Sequence, residues 1–144
     1  MKTRRSLRRL GATLALLLLF VAVVPAVSPV YLPALPDGAP PPPEEETLVF
    51  GYATLANPLV RSWVLGRPSR SEPGTLEGWT RVGRDLLPYP DGAVQGRVFS
   101  VPPEGMTRLD RFEQTGLRYM RRREVLTDGR EVWVYGLLPP LPAR

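Results

Sequence analysis

The sequence predicts an α+β domain beyond residue 46: a small mixed, mostly antiparallel sheet that curls toward a barrel, with two short helices. An N-terminal hydrophobic helix and a Pro-rich linker precede it. Three observations carry this reading. Asp128-Gly129 separates two strand-like runs, Leu117–Leu126 and Arg130–Leu137, as the tight turn of a hairpin does. Met106, Leu109 and Phe112 recur at helical spacing behind Pro102 and Pro103. Finally, 144 residues with the first third given to leader and linker leave room for one modest core.

The basic leader comes first. Lys2, Arg4, Arg5, Arg8 and Arg9 precede an unbroken apolar run from Leu10 to Val24, and the run continues past Pro25 and Pro29 to about Leu32. A cationic flank before such a run reads as a signal peptide or membrane anchor over residues 1–32, with the domain membrane-anchored or exported on the extracytoplasmic side. Those five cations account for the whole net charge of +5, so the rest of the chain is formally neutral and has no nucleic-acid signature. Residues 33–46 (PALPDGAPPPPEEE) favour extended polyproline II geometry and carry charge that keeps them hydrated. They read as a semi-rigid stalk, with a ligand for a proline-binding module as the alternative.

Within the domain, residues 47–138, Leu48, Val49 and Phe50 are strand formers suited to a core. Gly51 to Leu55 ends that strand in small residues, so the backbone can approach an anion or a developing oxyanion. Asn57-Pro58 reads as the cap and first position of a helix running to Gly66, with Leu59, Trp63 and Val64 facing inward. Pro68 to Gly74 reads as a loop and Thr75 to Val82 as a strand. An irregular stretch through Pro88, Pro90, Asp91 and Gly92 leads to a strand over Ala93 to Val101, where Gly96 marks a bulge or a close approach. A helix opened by Pro102, Pro103 and Glu104 and running to about Gln114, and the Asp128-Gly129 hairpin, complete the domain, and residues 139–144 form a Pro-rich tail.

With neither cysteine nor histidine, the chain has no disulfide, no thiolate nucleophile, no Ser-His-Asp triad and no His- or Cys-built zinc site. Acid–base chemistry falls to carboxylates, tyrosines, arginines or Lys2. At a hundred degrees per residue Glu113 shares the stripe of Met106, Leu109 and Phe112, with Asp110 on its flank. A carboxylate turned toward a core loses hydration, and its pKa rises toward the range where it is useful as a base. The alternative is a helix-end glutamate that turns to water or pairs with an arginine such as Arg121. Tyr119 and Arg121 share one face of a strand, where they could line a cavity, support it, or pack across strands. Arg121, Arg122 and Arg123 alternate faces without an aromatic platform, so they read as a solvated edge rather than a phosphate-binding strip.

Taken in order, VFGYATL, GTLEGWTRV, AVQGRVFSV, LDRFE, YMR and the hairpin make the chain from Thr47 to Leu137 resemble the gamma-glutamylcyclotransferase-like family, in its small AIG2-like form. The family's Tyr-Gly-Ser-Leu or Tyr-Gly-Thr-Leu signature falls on Tyr52, Ala53, Thr54 and Leu55. Its Leu-Asp-x-Tyr/Phe-Glu helix falls on Leu109, Asp110, Phe112 and Glu113, and its Tyr-x-Arg strand on Tyr119 and Arg121. The resemblance implies a small barrel with a cavity that takes a small-molecule gamma-glutamyl substrate and needs no metal or cofactor. It implies that Glu113 is the general base, and that Tyr52, Ala53, Thr54, Leu55, Tyr119 and Arg121 bind substrate. The products would be 5-oxoproline and a free amine or amino acid. One departure stands out: Ala53 replaces the loop glycine, which puts an alanine under strain if that position needs a positive φ. A non-catalytic, extracytoplasmic ligand-binding module on the same fold is the alternative reading.

Overall fold

The computed structural model describes residue 11, residues 13–19 and residues 32–138. Most of the 1–32 leader and all of the 139–144 tail lie outside the described residues. Residues 13–19 are helical, and among the described residues no helix is long and apolar enough to cross a membrane.

The domain runs β1 (Thr47–Gly51), a 3-10 turn (Ala53–Ala56), α1 (Pro58–Leu65), β2 (Glu72–Val82), β3 (Asp85–Val101), α2 (Pro103–Glu113), β4 (Tyr119–Val125) and β5 (Glu131–Leu137). The five strands form one sheet in the order β2-β3-β1-β5-β4. All neighbours are antiparallel except β1 and β5, which meet in parallel at Val49 and Trp133, so the sheet is mixed as expected. The two-residue periodicity of the strands divides the core by face. Val49, Phe99, Val101 and Tyr135 pack with Val64, Leu65, Met106 and Leu109 of the helices. Phe50, Val98, Val132 and Val134 face the other way, where Leu76, Leu86 and Leu126 close over them as the β2–β3 hairpin curls.

Local signals account for the helices. The Asn57 side chain accepts from the Leu59 N–H at 2.9 Å and caps α1, which ends at Gly66. Leu59, expected to face inward, is 79% exposed. Val64 faces inward as expected, but the rest of the buried stripe is Arg61 and Leu65, because the helix begins at Pro58 and its first turn faces solvent. In α2, Glu104 in the first turn and Arg111 in the last complement the helix dipole.

Two stretches expected to be irregular are strand. β2 begins at Glu72, inside the expected loop, and β3 runs unbroken through Pro88 and Pro90. β1 pairs only with Arg97 to Val101 of β3, so the first half of β3 has β2 alone as neighbour and a proline there interrupts no second ladder. The register shifts between Glu77 and Trp79, and Tyr89 to Gly92 bulge out of the pairing. The close approach expected at Gly96 is to the Phe50 ring, 2.4 Å from where a Cβ would stand.

The Pro-rich segment is no free stalk. Leu32 is buried, and Arg111 donates to the carbonyls of Leu32 and, at 2.9 Å, Pro33. Arg121 donates to the carbonyls of Pro40 at 3.0 Å and Pro41 at 2.6 Å, while Pro36 lies over Gly116. Apart from the turn in which Ala39 N–H donates to the Pro36 carbonyl at 3.1 Å, polyproline-type chain lacks internal hydrogen bonds, which leaves the carbonyls of Leu32, Pro33, Pro40 and Pro41 available to these guanidinium groups.

Candidate active site

β1 delivers its chain end to a cavity of about 150 Å³. Its floor and one wall are Phe50, Tyr52, Ala53, Thr54 and Leu55, and Glu113 and Phe112 at the end of α2 face them. Tyr119 and Tyr135 complete the wall, and Arg84, Gln114 and Arg118 stand at the opening. Pockets for drug-sized ligands run about 300–1,000 Å³, so this one suits a compact group rather than a large cofactor. Among the described residues no three His, Cys, Asp or Glu side chains are grouped to hold a metal.

Glu113 is half-buried, and among the described residues no hydrogen bond or ion pair engages its carboxylate. Burial pushes its carboxyl up to about 7; the charge of Arg118 opposes this and that of Asp85 adds to it. The phenols around it stay protonated at neutral pH. Tyr52, raised above the usual phenol range by burial, donates to the Tyr135 carbonyl. Tyr119 donates to Asp85 Oδ1 at 2.5 Å, and burial with that bond pushes it up to about 12. Within the cavity, Glu113 is thus the group poised to gain or lose a proton near neutrality.

Tyr52, Ala53, Thr54, Leu55, Tyr119 and Glu113 all reach the cavity. Arg121 does not line it. Its guanidinium lies behind the wall, 3.3 Å from Asp110 Oδ1, and both side chains are buried. Asp110 also accepts from Tyr135 at 2.8 Å and Thr115 at 3.2 Å. Burial pushes the Asp110 carboxyl up, against the pull of Tyr135, Arg121 and Thr115. The arginine considered as a partner for Glu113 is therefore taken by Asp110, which leaves Glu113 to the cavity. Arg122 and Arg123 lie over the rings of Trp79 and Trp133.

The loop has supports that sequence reasoning missed. Ala53 to Ala56 form a 3-10 turn, whose first N–H groups, of Ala53 and Thr54, precede any intrahelical partner. Arg61, 2% exposed, donates to the carbonyls of Leu55 at 3.0 Å and Ala56 at 3.2 Å and stacks over Phe99. It also reaches Ser71 Oγ at 2.8 Å, tying the turn to the start of β2. Gly51 is small because of packing rather than ligand approach: a Cβ there would lie 2.9 Å from Leu55 Cβ and from the Phe99 ring.

Ala53 sits at φ +49°, in the left-handed region. An L-residue pays about 1–2 kcal/mol there, of which the greater chain entropy of unfolded glycine returns part. Ala53→Gly is therefore expected to raise stability by about 0.5–1 kcal/mol in urea unfolding. A lower midpoint at unchanged slope would contradict this account of the turn.

Arg84, Gln114, Arg118 and Tyr135 also line the cavity, and Asp85 holds the Tyr119 hydroxyl beside it; sequence reasoning assigned none of them to the site. Arg84 and Asp85 fall in the hairpin expected to be irregular; the available signal was Gly83 between two alternating runs.

No curated protein matches the sequence. Among solved structures, the Arabidopsis thaliana protein At3g28950.1 superposes with a TM-score of 0.56 at 21% identity, over 71% of this chain and 66% of its own. Another from the same plant, At5g39720.1, gives 0.56 at 25% identity, over 67% and 72%. A structure described as a gamma-glutamyl cyclotransferase gives 0.50 at 14% identity, over 65% and 68%, a likeness of fold. The family model described as gamma-glutamyl cyclotransferase, AIG2-like, matches residues 49–143, from the middle of β1 past the end of β5. With two thirds of its length so matched, the chain belongs to the gamma-glutamyl cyclotransferase, AIG2-like family.

Proposed function

We propose that this domain releases 5-oxoproline from a gamma-glutamyl amine or peptide by intramolecular aminolysis, with Glu113 as general base. The observation that carries the reading is the unpartnered Glu113 carboxylate, raised to about 7, in one compact cavity with the turn at Ala53–Leu55. The substrate's α-amine gives a proton to Glu113 as its nitrogen bonds to the γ-carbonyl carbon. The oxygen that gains charge faces the backbone N–H groups of Ala53 and Thr54. As the carbonyl reforms, the bond to the leaving nitrogen breaks and Glu113 returns the proton to it. Because nucleophile and electrophile belong to one molecule, the cavity has mainly to hold a folded conformer, and a small volume suits that task.

The test is to incubate the full chain with a panel of gamma-glutamyl amines and peptides and to quantify 5-oxoproline. Release from at least one compound is expected. A ligand that raises the melting temperature and is recovered unaltered would favour a binding module instead.

We further infer from the cationic flank and apolar run of residues 1–24 that the domain acts beyond a membrane. A reporter enzyme active only after export, fused behind residue 144, is expected to be active; silence with normal expression would exclude this topology.

A further inference from the structure

Residues 114–118, which join α2 to β4, have the cavity on one side and the Pro-rich segment on the other. Inward, Gln114 and Arg118 line the cavity between Glu113 and Tyr119. Outward, Pro36 Cγ lies 3.1 Å from where a Cβ on Gly116 would stand. Two of these residues hold left-handed backbone, Gln114 at φ +54° and Gly116 at φ +87°. A residue other than glycine persists in that conformation where its surroundings fix it. Gln114 N–H donates to the Arg111 carbonyl at 3.3 Å, and Thr115 N–H to the Asp110 carbonyl at 2.9 Å. Both anchors lead on to the linker. The Arg111 guanidinium donates to the carbonyls of Leu32 and Pro33, and Arg121, which holds Asp110, donates to those of Pro40 and Pro41. Residues 32–33, 36 and 40–41 thus meet residues 111, 116 and 121 in the same chain order.

We propose that residues 32–41 are a positioning strap for the active site: docked across the α2–β4 connection, they fix the wall that carries Glu113, and Arg111 is the positioning residue through which they act. The consequence for turnover rests on the activity proposed above; the seat of the strap on the wall does not. Hydrogen bonds from a guanidinium are stronger than neutral ones, and proline already restricts the segment, so little chain entropy is lost when it docks. Released from the strap, the connection can relax its left-handed turn at Gln114, and water then reaches the Glu113 carboxyl. The groups that face this carboxyl are Arg118 on the connection, Arg84 and Asp85 at the hairpin tip, Tyr52 after β1, Tyr119 on β4 and Tyr135 on β5. None of them touches the linker through a side-chain hydrogen bond, so the strap acts on Glu113 by position and hydration rather than by charge.

The experiment uses the full chain carrying Leu32→Lys, which sets a second cation against Arg111 in place of a buried leucine, or Arg111→Gln, which removes the grip from the other side. Amide hydrogen exchange at residues 114–118 is expected to quicken about tenfold in each, as a local unit loosens. The Glu113 carboxyl, followed by NMR, is expected to titrate below the wild-type midpoint of about 7 as water reaches it. The acid limb of the pH profile for 5-oxoproline release should move with it, and kcat should fall about tenfold with a smaller change in KM, the scale of a small displacement of the base. Both substitutions break the same contact, so the double variant should be no worse than the worse single one. Unchanged exchange at 114–118 in both single variants, an unchanged carboxyl midpoint, or effects that add in the double variant would each overturn the strap. A wild type that releases no 5-oxoproline would overturn the proposed function instead, and exchange and titration, which need no turnover, would still decide on the strap.

Discussion

Glu113→Gln is expected to lower kcat/KM for 5-oxoproline release by about a thousandfold, within the range that positioned acid–base groups contribute. The amide keeps the shape of the carboxylate but accepts no proton from the substrate amine. For the wild type, activity should rise as pH passes about 7, where the buried carboxyl ionises. Stability should move the opposite way. The folded pKa lies above a glutamate's ordinary 4.5, so the folded state favours the protonated form. That contribution is whole below about 4.5 and is lost as pH rises through about 7. Glutamine carries no charge to bury, so the variant should melt above the wild type at about pH 8, and the difference should vanish toward pH 4. Inactivity together with higher stability separates loss of the base from loss of the fold. Turnover within tenfold of wild type would remove Glu113 from the chemistry.

The second large effect concerns stability. Arg121→Met removes the cation facing Asp110, whose side chain is fully buried, and is expected to cost about 3 kcal/mol, the low end for breaking a buried pair. Protonation of the stranded Asp110 limits the loss, as its pKa is already raised by burial. The double variant Arg121→Met/Asp110→Asn should recover much of the deficit, because no unpaired charge remains. Urea midpoints at constant slope provide the measurement. A single-variant loss under about 1 kcal/mol would mean that the pair and the carbonyls of Pro40 and Pro41 do little to hold the domain.

Features set by neighbours in sequence were legible, and those set by distant backbone were not. Asp128-Gly129, the Asn57 cap and the stripe carrying Glu113 each depend on a few consecutive residues, and the strands and helices follow. Arg61 reads as a polar position on an amphipathic helix. Nothing nearby in sequence announces that the carbonyls of Leu55 and Ala56 curl back to meet it. Pro88 and Pro90 read as breaks because proline usually interrupts a sheet. That they lie where β3 has a single neighbour is a fact of topology. Tyr119 and Arg121 share one strand face, yet Tyr119 lines the cavity while Arg121 lies behind its wall against Asp110.

The linker's seat on the domain changes what the N-terminal end can transmit. A pull on the chain ahead of Leu32 is borne first by Arg111, on α2, two residues before Glu113, and only afterwards by any strand. Whatever fastens the far end of this protein therefore holds the molecule by the very helix that carries Glu113, so the harness and one wall of the cavity are one piece.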